Sequence, residues 1–167
     1  MTLPTALPDL IKISDDEAQR TLRATVRVVA DLPRDSSPEV VWVLGASELL
    51  VHTAGIELSC RPGQVTITVP VTCDQLRDDA RIQVPFAVGT VDAPSGLVMS
   101  TLDVPVGPAL VVTAWAGSLI AFAWEALLHL TEQLCASRGQ DDAGRPFSPG
   151  YVAADRGVLF VQPVGRA

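Results

Sequence analysis

Residues 56–69, IELSCRPGQVTITV, decide the fold. Two period-two runs, 56–60 and 65–69, flank Arg61-Pro62-Gly63-Gln64, a loop in which Pro enters the turn and Gly sits inside it. With those four residues as the loop, Cys60 faces Val65, Leu58 faces Ile67, Ile56 faces Val69 and Ala54 faces Val71. The apolar sets then share one face, and Glu57, Ser59, Thr66 and Thr68 share the other. A one-residue slip would turn one set over, so the pattern itself sets the register. Pro70 lacks the N–H of a ladder bond, which predicts an edge or a bulge at that point.

Working back from the hairpin, residues 40–44, VVWVL, are apolar at both parities and read as a strand covered on both faces, ended by Gly45. Residues 31–39 hold turn formers. Residues 20–30, RTLRATVRVVA, alternate Leu22, Ala24, Val26, Val28 and Ala30 with Thr21, Arg23, Thr25 and Arg27, the pattern of a half-buried strand. Residues 1–18 read as an N-terminal arm without the basic start and unbroken apolar run of an export signal.

Working forward, the turn at 74–79 leads to a strand at 81–90, and the turn at 92–96 to a second hairpin arm at 96–104. From about 110 to 136 the period changes to that of a long helix. Residues 137–150 read as a loop and 157–164, GVLFVQPV, as a final strand. The expected fold class is α+β: an antiparallel β-sheet, curled into a sandwich or partial barrel, with one long C-terminal helix and a final strand, in a single domain over 1–167.

At 167 residues, 48% hydrophobic and 19% charged, the chain can build a core and is too apolar for disorder. Its net charge of −7 has the wrong sign for neutralising phosphates, so nucleic acid is not an expected partner. Lys12 is the only lysine and lies in an acidic, Pro-flanked segment, which excludes a P-loop and a Schiff-base enzyme. The absence of Asn removes any Asn amide as a catalytic group or ligand, and the Ala, Val, Arg and Pro richness points to a bacterial gene. Three cysteines, Cys60, Cys73 and Cys135, suit reduced thiols in the cytoplasm. The register also separates Cys60 from Cys73 by ~26 Å, beyond disulfide reach.

Residues 104–124 carry no charge and are long enough to cross a bilayer. Pro105 and Pro108 interrupt the start, Glu125 and His129 load the far end, and no basic cluster marks a flank. A buried or interface helix is therefore expected rather than a membrane span.

Little chemistry is legible. Extending the hairpin register places His52 opposite Cys73, a pair that would serve as a nucleophilic dyad or as two zinc ligands, against the simpler reading of two polar groups finishing a sheet. These two are the candidate catalytic residues. No further Cys/His spacing completes a metal set, and neither a metal nor a cofactor is expected. Gly45-Ala46-Ser47 starts like a nucleophile elbow, but Leu49 stands where the closing Gly belongs. Asp78-Asp79 and Asp141-Asp142 lack calcium-loop spacing and read as solvated turns. Arg20, Arg23 and Arg27 read as the soluble face of the expected strand.

Val41-Trp42-Val43, Glu48-Leu49-Leu50, Gly55, Arg61-Pro62-Gly63 and the run from Val65 to Pro70 together resemble the strand, LL turn and hairpin of actinomycete SsgA-like sporulation and cell-division proteins. The family's aspartate-proline-tyrosine signature does not precede this block, and Ser47 stands where an arginine is usual. The resemblance implies a non-enzymatic, oligomeric adaptor that recruits division or coat proteins.

On the long helix, Leu119, Ala123, Leu127, Leu130 and Leu134 gather on one side as the natural contact with the sheet. Ser118, Glu125, His129 and Glu132 form a narrow polar stripe. Gly117, Ala121, Trp124, Leu128 and Cys135 form a second apolar face, expected to pack on another subunit with Trp124 as anchor. The functional expectation is a cytoplasmic assembly or adaptor protein, a homo-oligomer that acts through protein–protein contact. The alternative is a small-molecule binder or enzyme with its pocket between sheet and helix.

Overall fold

The structure is a computed structural model and describes residues 8–32, 37–93, 95–96, 100–101 and 105–166. Ser14 opens the first helix, α1 (Asp15–Val29), its hydroxyl accepting from the Glu17 N–H at 3.2 Å. Ser14 and Glu17 have the S-x-x-E spacing of a capping box, and Asp15, Asp16 and Glu17 complement the helix dipole. At the far end the Asp31 N–H bonds to the Val28 carbonyl at 3.1 Å and the Leu32 N–H to the Arg27 carbonyl at 2.9 Å. This is a Schellman closure, with Asp31 in the left-handed region at φ +53° where Gly is the usual residue.

α1 replaces the strand expected at 20–30. The alternation there coincides with a helical stripe, because Ala18, Leu22 and Val26 recur every four residues. Those three are buried, while Ala24 and Val28 of the expected apolar face are exposed, Val28 at 67%. The β-branched residues favour a strand locally, but caps at both ends and burial of the stripe outweigh that weak preference. The segment 1–18 is not merely an arm either. Its residues Ile11–Ser14 form β1, an edge strand on the last strand of the chain, and 15–18 open α1.

The remaining strands are β2 (Glu39–Leu44), β3 (Ser47–His52), β4 (Glu57–Arg61), β5 (Gln64–Thr72), β6 (Ala80–Ala87), β7 (Ser95–Gly96), β8 (Ser100–Thr101), β9 (Ser148–Asp155) and β10 (Val158–Val164). They form two antiparallel sheets, ordered β1-β10-β9-β7 and β2-β3-β5-β6-β8, with β4 on β5 as well. The second helix, α2 (Ala109–Ala136), packs on both sheets and on α1. The fold is thus α+β, with one long helix near the C-terminus followed by a closing β-hairpin. The expected loop at 137–150 gives way to β9 at Ser148.

Hydrogen bonds join the sheets along one corner. The Gly63 N–H bonds to the Ala154 carbonyl at 3.1 Å, Gly157 N–H to Cys60 at 3.1 Å, and Gly89 N–H to Val152 at 3.0 Å. The central hairpin has the expected register, with Cys60 opposite Val65 and Leu58 opposite Ile67. The β6–β8 pairing forms part of the second hairpin, and residues 97–99 and 102–104 of its expected arm lie outside the described residues.

α2 buries Leu119, Ala123, Leu127 and Leu130 completely, as its period predicts. It is long and apolar enough to cross a membrane, and 39% of its most apolar stretch is buried inside the fold. The proposed second face does not hold together. Cys135 is fully buried, Trp124 packs on Phe86 with ring centroids 6.0 Å apart, and Leu128 lies half-buried. Only Gly117 and Ala121 of that set are exposed. α1, which takes the place of the expected strand, packs on α2, and its Val28 and Val29 lie beside Leu128.

Candidate functional site

The site is the outer end of the larger sheet. Gly45 and Ala46 form a two-residue turn between β2 and β3, with Leu44 paired to Ser47 and Gly45 at φ +60°. Positive φ at the first turn residue alone is the type II′ geometry, which needs Gly there. In such hairpins the pair flanking the turn is hydrogen-bonded and the pairs alternate from there. Leu44, Trp42 and Val40 therefore bond to β3, while Val43, Val41 and Glu39 direct their N–H and C=O away from it.

Nothing among the described strands takes up those groups: β2 has one neighbour, β3. Two other edges, those of β4 and β1, are managed. Along β4 the Leu58 N–H donates to Gln19 Oε1 at 3.1 Å and the Ile56 carbonyl accepts from Arg23 Nε at 2.8 Å, so α1 covers that edge. Arg23 is thus a tether, not part of an exposed sheet face. β1 is four residues long and bears Lys12, a charge that discourages pairing. β2 has neither device along Val40–Leu44.

Its side chains are equally open. Trp42 turns inward, with its ring 6.2 Å from Trp115 and 5.5 Å from Phe122 of α2. Val41, Val43 and Leu44 are 56%, 64% and 55% exposed. The two-faced cover expected for 40–44 is therefore absent: the strand lies at an edge, and only its inner face meets α2. Beside it, Val41, Glu48, Leu50, Thr72, Cys73 and Asp74 line an open hollow of ≈ 200 Å³.

The polar end of this surface is a hydrogen-bonded chain. His52 Nδ1 lies 3.1 Å from Glu39 Oε1 and Nε2 lies 2.6 Å from Thr72 Oγ1, while the Thr72 hydroxyl donates to Asp79 Oδ1 at 2.8 Å. With that hydroxyl hydrogen given to Asp79, Nε2 must donate to Thr72. Nδ1, the ring's other nitrogen, faces Glu39. In this arrangement the imidazole cannot act as general base toward Thr72. The chain ties β2 to β3, β5 and the turn before β6.

His52 and Cys73 are not brought together. The hairpin register would set residue 53 opposite Thr72, but Leu50 occupies that place and Val51 faces Val71. The 3₁₀ turn at Thr53–Gly55 takes up the three residues, so Ala54 does not face Val71 and the strand pairing passes from β4 to β3 near Pro70. Cys73 lies one residue beyond β5, and the His52 ring meets Glu39 and Thr72 instead.

All three cysteines are free. Burial pushes the Cys60 thiol up to about 12, with the Asp15 carboxylate adding to the shift. Burial likewise pushes Cys135 up to about 11. Neither supplies a thiolate at neutral pH. Asp79 and Asp141 do more than bound a solvated turn. Asp141 Oδ1 accepts from the Arg145 and Ala143 N–H groups at 3.0 and 2.9 Å, and Arg145 reaches the Arg166 carbonyl near the end of the chain. Among the described residues no group of three His, Cys, Asp or Glu side chains converges to hold a metal.

No family model, curated protein or solved structure matches the chain. The open edge itself was missed in the sequence. Gly45-Ala46 between two apolar runs marks the β2–β3 hairpin, but not which of its strands is outermost.

Proposed function

We propose that the protein is a non-enzymatic assembly or adaptor protein that works through the β2 edge. The observation that carries this reading is the open strand at Val40–Leu44, uncharged, apolar on its outer face and backed by the Trp42 clamp on α2. A flat apolar edge is a template for another strand, and soluble proteins block such edges unless they use them. Main-chain bonds supply the affinity in this mode, and the alternating side chains Val41 and Val43 supply selectivity. A cytoplasmic setting fits the free thiols, and a role in bacterial division or sporulation follows only from the local resemblance of residues 41–70.

The test is a photo-crosslinking amino acid at position 43 in the cell of origin. Adducts to protein, this chain or another, support the reading. A chain that forms none, while a metabolite screen raises its melting temperature, would replace it with the small-molecule alternative.

A further inference from the structure

Resting on that reading, we propose that the occupant of the edge is a second copy of this chain, with β2 pairing antiparallel to β2 about a two-fold axis through Val41. The backbone phase argues for it. Glu39, Val41 and Val43 present N–H and C=O outward at two-residue intervals. An antiparallel partner must offer the same interval, and β2 itself does. Centring on Val41 sets Val41 against its own copy and Glu39 against Val43 of the other chain, so every outward group on both strands is paired. Centring on Trp42 leaves Glu39 outside the ladder, and centring on Val40 leaves Val43 outside it.

Charge argues for the same register. Each Glu39 meets a valine, whereas centring at Glu39 would oppose the two carboxylates directly. A two-fold axis normal to the sheet also keeps the faces in step. Val41 and Val43 of both chains form one outer apolar row, bounded by Glu48 and by the Glu39–His52 pair, while Trp42 of both chains faces the helix layer.

A paired strand ~20 Å long covers less than the ~800 Å² per partner of a standard interface. The helix layer supplies further surface. Trp115 and Phe122 lie under Trp42, and next to them round the helix Ala114, Ser118 and Ala121 are exposed, small and uncharged. A second α2 brought alongside by the same axis meets that row, along which the first charge is Glu125, one turn beyond Ala121.

The experiment is analytical ultracentrifugation of the full chain with cysteine crosslinking. The wild type should sediment at twice its 17.7 kDa mass. Val41→Lys, which sets two ammonium groups face to face, should be monomeric with unchanged circular dichroism. Val41→Pro should also be a folded monomer, because the N–H it removes points to the open edge. In a Cys73→Ser background, Val41→Cys should form a disulfide-linked dimer on mild oxidation, because directly opposed residues in a hydrogen-bonded pair have Cα atoms ~5.5 Å apart. Val43→Cys should not, as it opposes Glu39. A wild type that stays monomeric, or crosslinking at position 43 but not 41, overturns the proposal. If the chain is monomeric and the photo-adducts at position 43 contain a different protein, the dimer fails and the adaptor reading stands. If the chain is monomeric, forms no adducts and gains melting temperature with a metabolite, both fail.

Discussion

Trp42 meets Phe122 edge to face, with ring centroids 5.5 Å apart and planes at 75°. That contact, with Trp115 on the other flank, fixes which way β2 is turned and so which of its residues face water. Strand parity does the rest: once Trp42 is inward, Val41 and Val43 are outward. Truncating Trp42 to Ala removes both aromatic contacts and should cost about 3 kcal/mol in urea unfolding. A loss below about 1 kcal/mol would mean that the clamp does not hold the strand.

The ends of α1 give opposite expectations. Ser14→Ala removes the hydroxyl that takes the Glu17 N–H and should cost about 1 kcal/mol. Asp31→Gly relieves a side chain held at positive φ and should raise stability by about 1 kcal/mol. Urea midpoints of the two variants should move in opposite directions. A destabilised Asp31→Gly would assign that side chain a contact beyond the turn.

Much of the architecture was readable. The 56–69 hairpin, the strand at 80–87, the long helix and the final strand each carry a period longer than their ambiguity. Residues 20–30 failed because Leu22 and Val26 satisfy periods of two and four at once, and the deciding residue, Ser14, was read as part of an arm. The His52–Cys73 pairing failed because a period carried across Thr53–Gly55 ignores a turn that takes up three residues. The open edge was illegible for another reason. Whether an apolar strand such as VVWVL is central or peripheral depends on what lies beside it, and no local pattern states that.

The thiols should separate by burial. Native protein treated with a thiol reagent near pH 8 should react at one site, Cys73, and denatured protein at three. For Cys60 and Cys135 the folded state favours the protonated form. Their contribution to stability is therefore complete below the ordinary thiol value of 9.0 and declines as pH rises from there toward about 12 and about 11. The stability gap between wild type and Cys60→Ala should narrow over that range. A constant gap would show that Cys60 does not titrate with unfolding.

Asp141 acts with the opposite sign. Backbone bonds led by the Arg145 N–H hold its carboxyl below its ordinary 3.8, so its contribution is present above that value and lost as pH falls through the lowered one. Asp141→Ala should loosen the loop and the C-terminal tail that Arg145 reaches, read as faster proteolytic trimming at neutral pH. Wild type and variant should be trimmed alike once the pH falls below that lowered value. Equal trimming at pH 7 would remove Asp141 from the account.

Amide hydrogen exchange along β2, resolved residue by residue, tests the central claim most directly. Val40, Trp42 and Leu44 bond to β3 and should be protected at every protein concentration. Glu39, Val41 and Val43 point to the open edge, and the account predicts that they are protected in concentrated wild type and exposed in Val41→Lys or on dilution. Free exchange at Glu39 and Val43 in concentrated wild type, with Val40, Trp42 and Leu44 protected, would contradict it.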